Sequence, residues 1–213
     1  MTIGKGTNWG YPGLLSPQSP TFATDAEISA YLTAHVNTLA IEPTAVPTSP
    51  LDVAPIGLTG GALWRTIGGP GVVGRYATAN ARHYTCDLAI AIVDGKRQLF
   101  VASLVARNRW WTKVAVVMNA QDMGAYRFGH RAHPGDALLD VYEARIKLGD
   151  VPKIARRAKL GSHLPHPGIT ERRLPNASFT FDRPRQLWLD ERRVGMVEQL
   201  SVTVVPDAFT VVV

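Results

Sequence analysis

The second half of the chain has the alternating apolar and polar pattern of β-strands. In residues 200–204, Leu and Val alternate with Ser and Thr, and a period of two places the apolar side chains on one face of a strand. The stretch 87–107 has apolar runs on both sides of Asp94-Gly95, a pair typical of a two-residue hairpin turn. Further strand-like runs are KVAVVMN, LLDVYEARI and RQLWLD, and Pro206-Asp207 is predicted to turn the chain into a last run, AFTVVV. Many short strands separated by turns predict a mainly β fold with a few helices, an antiparallel β-sandwich or barrel.

Two stretches have helical spacing instead. The first begins at Thr24, followed three positions later by Glu27, and this is the pattern of a capping box. Its apolar positions recur every three or four residues: Ile28, Tyr31, Leu32 and Val36. The second lies between Asp150, the predicted cap, and Gly161, a residue type that commonly ends helices. Basic side chains occupy its predicted outer face: Lys153, Arg156, Arg157 and Lys159.

Composition limits the class of partner. The 213 residues carry a net charge of +6, which suits anionic partners such as nucleic acid, nucleotide phosphates or acidic lipid headgroups. Aromatic and basic residues do not alternate on one strand, as base stacking requires, so no nucleic-acid partner is expected. Cys86 is the only cysteine, which excludes an intrachain disulfide and a cysteine-rich zinc site. Because the sequence has neither an apolar span of about 20 residues nor a signal-peptide core, a cytoplasmic location is expected.

Histidine pairs are the first candidate for chemistry. His130 and His133 are separated by two residues, Asp136 follows them, and His163 and His166 repeat the spacing. Imidazole nitrogens with a carboxylate would suit zinc. The neighbouring prolines and glycine favour turns instead, in which the histidines would only make hydrogen bonds. The pattern leaves both alternatives open, a zinc site or polar turns.

A Gly-Thr-Asn stretch is the second candidate. Gly6, Thr7 and Asn8 lie in a glycine-rich segment that does not have the full spacing of a P-loop. Such a loop, running toward a helix, can still place backbone N–H groups and the threonine hydroxyl near a phosphate. The alternative is a flexible turn.

Four stretches, taken in order, resemble the diacylglycerol kinase-like lipid kinases, which belong to the NAD kinase and diacylglycerol kinase superfamily. TIGKGTNWG is similar to the family's Gly-Thr loop, and MNAQDMGAYRFGHRAHPGDALLDV to the region of its Asp-Asp-Gly-Leu-Leu-Asp motif. AKLGSHLPHPGI is similar to a Gly-x-His segment, and LWLDERRVGMVEQLSVTVVPDAFTVVV to the terminal Asp-Gly-Glu strand pair. The family's Gly-Gly-Asp-Gly-Thr motif is absent. Gly135 and Ala137 depart from the first aspartate motif, and Glu191 and Arg192 from the second.

The resemblance implies a two-part architecture. Residues 1–42 would be a short remnant of an α/β nucleotide-binding domain, and residues 43–50, PTAVPTSP, a proline-rich linker. Residues 51–213 would form an antiparallel β-sandwich like the family's C-terminal domain, with the last strand returning to the first domain.

The resemblance also implies roles for individual residues. Asp190 matches the aspartate proposed as the general base that takes a proton from the lipid hydroxyl. Asp136 matches a magnesium-binding aspartate, with the main-chain carbonyls of His133 and Leu138 as further ligands. The Gly-Thr-Asn stretch matches the loop that contacts nucleotide. Magnesium and ATP are therefore the cofactors that the resemblance implies.

The resemblance implies ATP-dependent phosphoryl transfer to a lipid hydroxyl, provided that the nucleotide domain is supplied by another chain or by upstream sequence. The alternative is a non-catalytic module that binds lipid, nucleotide or protein and forms a homodimer. The basic helix between Asp150 and Gly161 is expected to face an anionic membrane surface, as a peripheral contact.

Overall fold

The computed structural model describes residues 9–38, 45–47, 49–69 and 74–213. In this part of the chain β-strand is more common than helix, and the helices are α1 (Asp25–Thr38), α2 (Gly61–Thr66) and α3 (Val151–Ala158). The strands are β1 (Tyr11–Pro12), β2 (Thr21–Phe22), β3 (Ile56–Leu58), β4 (Arg82–Val93), β5 (Lys96–Phe100), β6 (Ser103–Arg107), β7 (Lys113–Met118), β8 (Asp122–Met123), β9 (Tyr126–Arg127), β10 (Leu139–Arg145), β11 (Ile169–Leu174), β12 (Asn176–Leu189) and β13 (Arg192–Val212).

One large sheet organises the molecule. Its strands follow the order β1-β4-β13-β12-β6-β7-β10-β11, and every neighbouring pair along this path is antiparallel. Strand β5 forms a hairpin with β4, and β8 forms a separate hairpin with β9. The mainly antiparallel β fold predicted from the alternating pattern is confirmed.

Strand β4 is buried on both faces, which explains its almost continuous apolar run. Leu88 and Ile90 belong to an apolar cluster that also contains Ile28 and Leu32 of α1. Ala89 belongs to a second cluster, formed with β6, β7, β12 and β13. Because successive strand residues point to opposite faces, one strand contributes to both cores.

Pro206-Asp207 does not turn the chain, and that prediction is wrong. Strand β13 continues through the pair, and the three residues between Val205 and Phe209 oppose the single residue between Leu88 and Cys86 of β4. The extra residues form a bulge in which Asp207 has a positive φ of 51°. A bulge accommodates a proline because the local ladder is already interrupted.

The end of β13 pairs with the N-terminal part of the structure. Val211 and Val212 lie beside Ile56 and Gly57 of β3 in a parallel arrangement, and β3 pairs in parallel with β2. Helices α1 and α2 pack on this side of the sheet, in the same apolar cluster as Val211. The domain boundaries at residues 42 and 51 remain a prediction.

The local signals at turns and helix ends are largely confirmed. The Thr24 hydroxyl accepts the Glu27 N–H at 3.2 Å, and the Glu27 carboxylate accepts the Thr24 N–H at 3.0 Å, so the capping box forms. Asp94 and Gly95 form the β4–β5 turn, both with positive φ. The prediction that the Asp150 side chain caps α3 is wrong, because Asp150 has helical dihedral angles and its carboxylate contacts Lys153 instead.

Candidate functional site

An apolar cavity of about 250 Å³ lies between α3 and the sheet. Strands β7 and β10 and the start of β11 contribute one side, α3 the opposite side, and the β8–β9 hairpin a third. Side chains that line it include Val114, Val116, Tyr142, Ile154, Ala155 and Ile169. The cavity is therefore enclosed mainly by aliphatic and aromatic side chains.

The cavity exists because β7 is apolar on both faces. Ala115 and Val117 pack into the interior of the sandwich, whereas Val114 and Val116 belong to the cluster on the α3 side. The KVAVVMN run predicts a strand, but it does not reveal that one face of this strand is only partly covered. Helix α3 has eight residues, and so short a helix cannot fill all of this apolar surface.

His163 is a polar residue on the cavity wall. Its side chain is almost fully buried, and neither ring nitrogen has a hydrogen-bond partner among the described residues. Burial lowers the pKa of His163, and the nearby His130 lowers it further. The imidazole is therefore neutral near pH 7. The Phe128 ring lies edge-on to it, with ring centroids 4.8 Å apart.

The histidine spacing does not correspond to a metal cluster. Within the described ranges, no group of three or more His, Cys, Asp or Glu side chains is arranged to hold a metal ion. The His133 ring packs at a tilt of 55° against Trp9, with ring centroids 4.4 Å apart, and His166 accepts the Gly168 N–H within its own turn. His130 lies 4.0 Å from the Glu171 carboxylate. The His166 hydrogen bond is of the kind that the alternative of polar turns predicts, whereas His163 makes no hydrogen bond among the described residues.

A second cavity of about 300 Å³ adjoins the first. Trp111, Met123 and Tyr126 line both cavities. The second cavity differs in having charged residues in its wall, Arg107 of β6 and Glu191 of the β12–β13 turn. The Glu191 carboxylate accepts the Gly124 N–H at 2.7 Å, which ties that turn to the β8–β9 hairpin.

The outer face of α3 is basic. Lys153, Arg156 and Arg157 are exposed on it, and the Lys159 ammonium lies 6.0 Å from the centroid of the Tyr126 ring, which lines both cavities. Large apolar side chains are exposed at both ends of this helix: Leu148, shortly before α3, and Leu160, shortly after it, have 59% and 80% of their surface accessible. A cationic surface with exposed apolar residues therefore borders the first cavity.

Asp190, the residue predicted as general base, lies at the β12–β13 turn and is only 4% exposed. Its carboxylate accepts the backbone N–H groups of Val101, Ala102 and Ser103 at 2.9, 2.9 and 3.0 Å. It also accepts the Ser29 hydroxyl of α1 at 2.6 Å. Burial raises the pKa of Asp190, and these hydrogen bonds oppose the shift. Both carboxylate oxygens are thus engaged within the fold.

Asp25 is a second buried carboxylate that the sequence patterns did not single out. It accepts the N–H groups of Ala62 and Leu63 at 2.6 and 3.0 Å, and so caps α2 from α1. Burial, and next the negative charge of Asp190, raise its pKa to about 6. The capping box marks the start of α1, but only the folded chain brings Asp25 to α2 and Asp190.

Asp136, the predicted magnesium ligand, takes part in an ion pair. Its carboxylate contacts the Arg173 guanidinium and accepts the Leu138 N–H at 3.0 Å. The His133 carbonyl, a second predicted ligand, already accepts the N–H of Gly135 at 2.9 Å. Magnesium would have to displace a guanidinium that already balances the charge of the carboxylate. The arrangement fits an ion pair rather than a cation site, and the magnesium ligands remain a prediction.

Asp87 positions the loop that carries Asp136. Its carboxylate accepts the Ala137 N–H at 2.7 Å and the Asp207 N–H at 2.9 Å. It therefore joins this loop to the bulge of β13. Burial raises the pKa of Asp87 to about 6. The predicted nucleotide-contacting residues Gly6, Thr7 and Asn8 lie outside the described residues, and so that role remains a prediction.

Comparisons with known proteins bear on the fold. No protein-family model matches the sequence, and no curated protein matches it either. Among solved structures, a diacylglycerol kinase from Bacillus anthracis matches with a TM-score of 0.54 and 13% identity, over 76% of this chain and 68% of that one. A second structure assigned to a diacylglycerol kinase of the same organism matches with a TM-score of 0.58 and 11% identity, over 76% of this chain and 70% of that one.

A further observation concerns the helices and membranes. In the part of the chain that the structure describes, no helix has the length and apolar character needed to cross one. At identities of 13% and 11%, the similarity to these solved structures concerns the fold alone. Over 76% of its length, this chain has the fold of the diacylglycerol kinase structures.

Proposed function

We propose that this protein binds a lipid and takes an acyl chain into the cavity between α3 and the sheet. The cavity itself is the observation that carries the proposal, because it is enclosed by apolar side chains and has a volume of about 250 Å³. At about 30 Å³ per group, the share of one water in the liquid, that volume accommodates on the order of eight methylene groups. The fold likeness to diacylglycerol kinases supports a lipid as the ligand.

The magnitude of the hydrophobic effect is sufficient for such binding. Removing one methylene group from water contributes about 0.8 kcal/mol, so eight would contribute roughly 6 kcal/mol before the entropic cost of association. The His163 nitrogens have no hydrogen-bond partner among the described residues. His163 is thus a polar group in a wall whose other side chains are mainly aliphatic and aromatic, and it is these apolar side chains that suit an acyl chain.

The basic face of α3 supports binding at an anionic membrane surface. Lys153, Arg156 and Arg157 are exposed there, and each cation near such a surface contributes about 1 kcal/mol. Leu148 and Leu160, exposed on either side of α3, would enter the interfacial region. This contact should weaken as salt rises, because exposed charges are screened. A cytoplasmic location and self-association as a homodimer remain predictions.

Phosphoryl transfer from ATP to a lipid hydroxyl is the second candidate function, and the fold likeness favours it. It would require a nucleotide domain supplied in addition to the described residues. Asp190 would be the general base, but its carboxylate holds Ser29 of α1 and three backbone N–H groups. To take a proton from a lipid, it would have to exchange one of these bonds. A kinase assay with ATP, magnesium and diacylglycerol tests this role, and turnover that disappears in Asp190→Asn would support it.

A cavity-filling substitution tests the lipid-binding proposal. Ala155 of α3 lines the cavity, and Ala155→Phe would occupy space that an acyl chain needs. Ala30 of α1 is exposed, so Ala30→Phe is the matched control. Binding is measured as the fluorescence of cis-parinaric acid, a polyene fatty acid that becomes emissive in apolar sites.

The proposal requires saturable binding to the unmodified protein and to Ala30→Phe, and a loss of about tenfold or more in Ala155→Phe. Circular dichroism of each variant confirms that the fold is retained. Absence of saturable binding, or equal binding by the two variants, would show that the cavity does not hold an acyl chain.

A further inference from the structure

Arg107 stands out in the second cavity because no carboxylate of the described residues pairs with its charge. The guanidinium carbon lies 4.4 Å from the centroid of the Trp111 ring and 6.0 Å from that of Trp188. One of its nitrogens donates to the neighbouring Asn108 carbonyl at 3.3 Å. Among the described residues no carboxylate forms an ion pair with it, and its buried Nε has no acceptor. A partly buried cation without a counter-ion is costly.

Other charges in this region do not compensate Arg107. Arg193 of β13 is close enough to act on it: burial first, and Arg193 next, lower the pKa of Arg107. Glu191 lines the same cavity, but its carboxylate accepts the Gly124 N–H and does not reach Arg107. Arg193 thus adds positive charge near Arg107, while the Glu191 carboxylate of this cavity is engaged by Gly124.

Neutral donors add to this charge. The Trp188 indole Nε1 is buried without a hydrogen-bond partner among the described residues, and an indole N–H can only donate. Trp188 and Ser103 both line the cavity. A guanidinium with an indole and a hydroxyl nearby suits a ligand group that is anionic and rich in acceptors.

The position of the cavity relates this group to a lipid. Trp111, Met123 and Tyr126 line both the second cavity and the acyl-chain cavity. One molecule with its chain in the first cavity and its head beside Arg107 would contact these three side chains. A neutral head group would leave the Arg107 guanidinium without a counter-ion, whereas an oxyanion would form an ion pair with it.

We infer that the cavity at Arg107 is a head-group site for the oxyanion of an anionic lipid, either the carboxylate of a fatty acid or the phosphate of a lysophospholipid. This inference rests on the proposed lipid binding and specifies the class of ligand. It assigns Arg107 as the residue that distinguishes an anionic lipid from a neutral lipid with the same chain.

Three lipids that share one acyl chain test the inference. Oleate, 1-oleoyl-lysophosphatidate and 1-monoolein are titrated below their critical micelle concentrations, with displacement of cis-parinaric acid as the measurement. We expect at least one of the two anionic lipids to bind about tenfold or more tightly than monoolein, since charge-assisted hydrogen bonds are the strong ones. The lipid with the greater preference identifies the head as carboxylate or phosphate.

Arg107→Gln should abolish the preference, weakening the anionic lipid about tenfold and changing monoolein by less than about threefold. Arg109→Gln is the matched control, because Arg109 is exposed and lies over the Trp110 ring, 5.3 Å from its centroid. Arg107→Lys, which keeps the charge but not the planar fork, should retain part of the preference and provides a second variant should Arg107→Gln fail to fold.

The outcomes separate this inference from the proposed function. Equal binding of anionic and neutral lipids by the unmodified protein, or a preference that persists in Arg107→Gln, overturns the head-group site and leaves acyl-chain binding intact. Failure of all three lipids to displace the probe, together with no effect of Ala155→Phe, overturns both.

Discussion

Replacing Asp190 by alanine should destabilise this protein far more than the same substitution at a comparable exposed turn. Asp190 joins the β12–β13 turn to three backbone N–H groups at the start of β6 and to Ser29 of α1. Asp94, in the β4–β5 turn, is the matched control. The two aspartates have nearly the same positive φ, 46° and 45°, so the conformational cost of alanine, about 1–2 kcal/mol, is common to both.

The difference in stability comes from burial. Asp94 is exposed and accepts two N–H groups, from Glu198 and Gln199, and water can satisfy both after its removal. Asp190→Ala would leave three buried N–H groups without an acceptor, at about 1–3 kcal/mol each. The lower end applies, because removing the carboxylate also removes a desolvation cost. We expect Asp190→Ala to lower the free energy of unfolding by about 3 kcal/mol more than Asp94→Ala.

Urea unfolding followed by tryptophan fluorescence measures this difference. With an m-value of about 1–3 kcal/mol per M, 3 kcal/mol separates the two midpoints by roughly 1 M or more. Similar m-values for the two variants would confirm that the native compactness is unchanged. A difference below about 1 kcal/mol would refute the account of Asp190 as a buried hydrogen-bond acceptor that stabilises the fold. It would favour a role for Asp190 other than stabilisation.

Three further predictions follow from the structure. Thr24→Ala removes the hydroxyl that accepts the Glu27 N–H and should cost about 1 kcal/mol in urea unfolding, and no change would mean that the capping box is not formed. The pKa values of Asp25 and Asp87 are raised to about 6 from 3.8, so the folded state retains protons that the unfolded state releases between about pH 4 and pH 6. The free energy of unfolding should therefore fall as pH rises through this window, by up to about 3 kcal/mol per group. Urea unfolding at several pH values measures it, and a free energy of unfolding that rises across the window would contradict the prediction. Because Arg173 already pairs with Asp136, 10 mM magnesium chloride should not raise the urea midpoint above that in sodium chloride of equal ionic strength, and a specific rise would support the predicted magnesium site.

The local sequence signals predicted the elements that depend on neighbouring residues. The capping box at Thr24 and the Asp94-Gly95 turn formed as expected, because both involve residues close together in the chain. The Pro206-Asp207 turn was predicted by the same kind of signal and is wrong. Pairing with β4 over the whole length of β13 outweighs the local preference, and the pair becomes a bulge.

Much less of the candidate site could be predicted from the sequence. Asp190 could be singled out by resemblance, but neither its burial nor its contact with Ser29 follows from a pattern, since the two residues are 161 positions apart. The arginines are a similar case: Arg107 and the exposed Arg109 are two residues apart. Only the packing of Trp111 and Trp188 distinguishes them.

The sequence by itself determined that this is a mainly antiparallel β protein with a basic, amphipathic helix, because strand alternation, helix caps and charge are properties of short stretches. The tertiary structure alone decided where apolar surface remains uncovered and which polar groups become buried. Those features depend on how well α3 covers β7 and β10, and on contacts between residues far apart in the chain. Trp111 lines both cavities, and Arg107 of the second cavity lies over its ring. This arrangement is therefore a consequence of packing and not of any one motif.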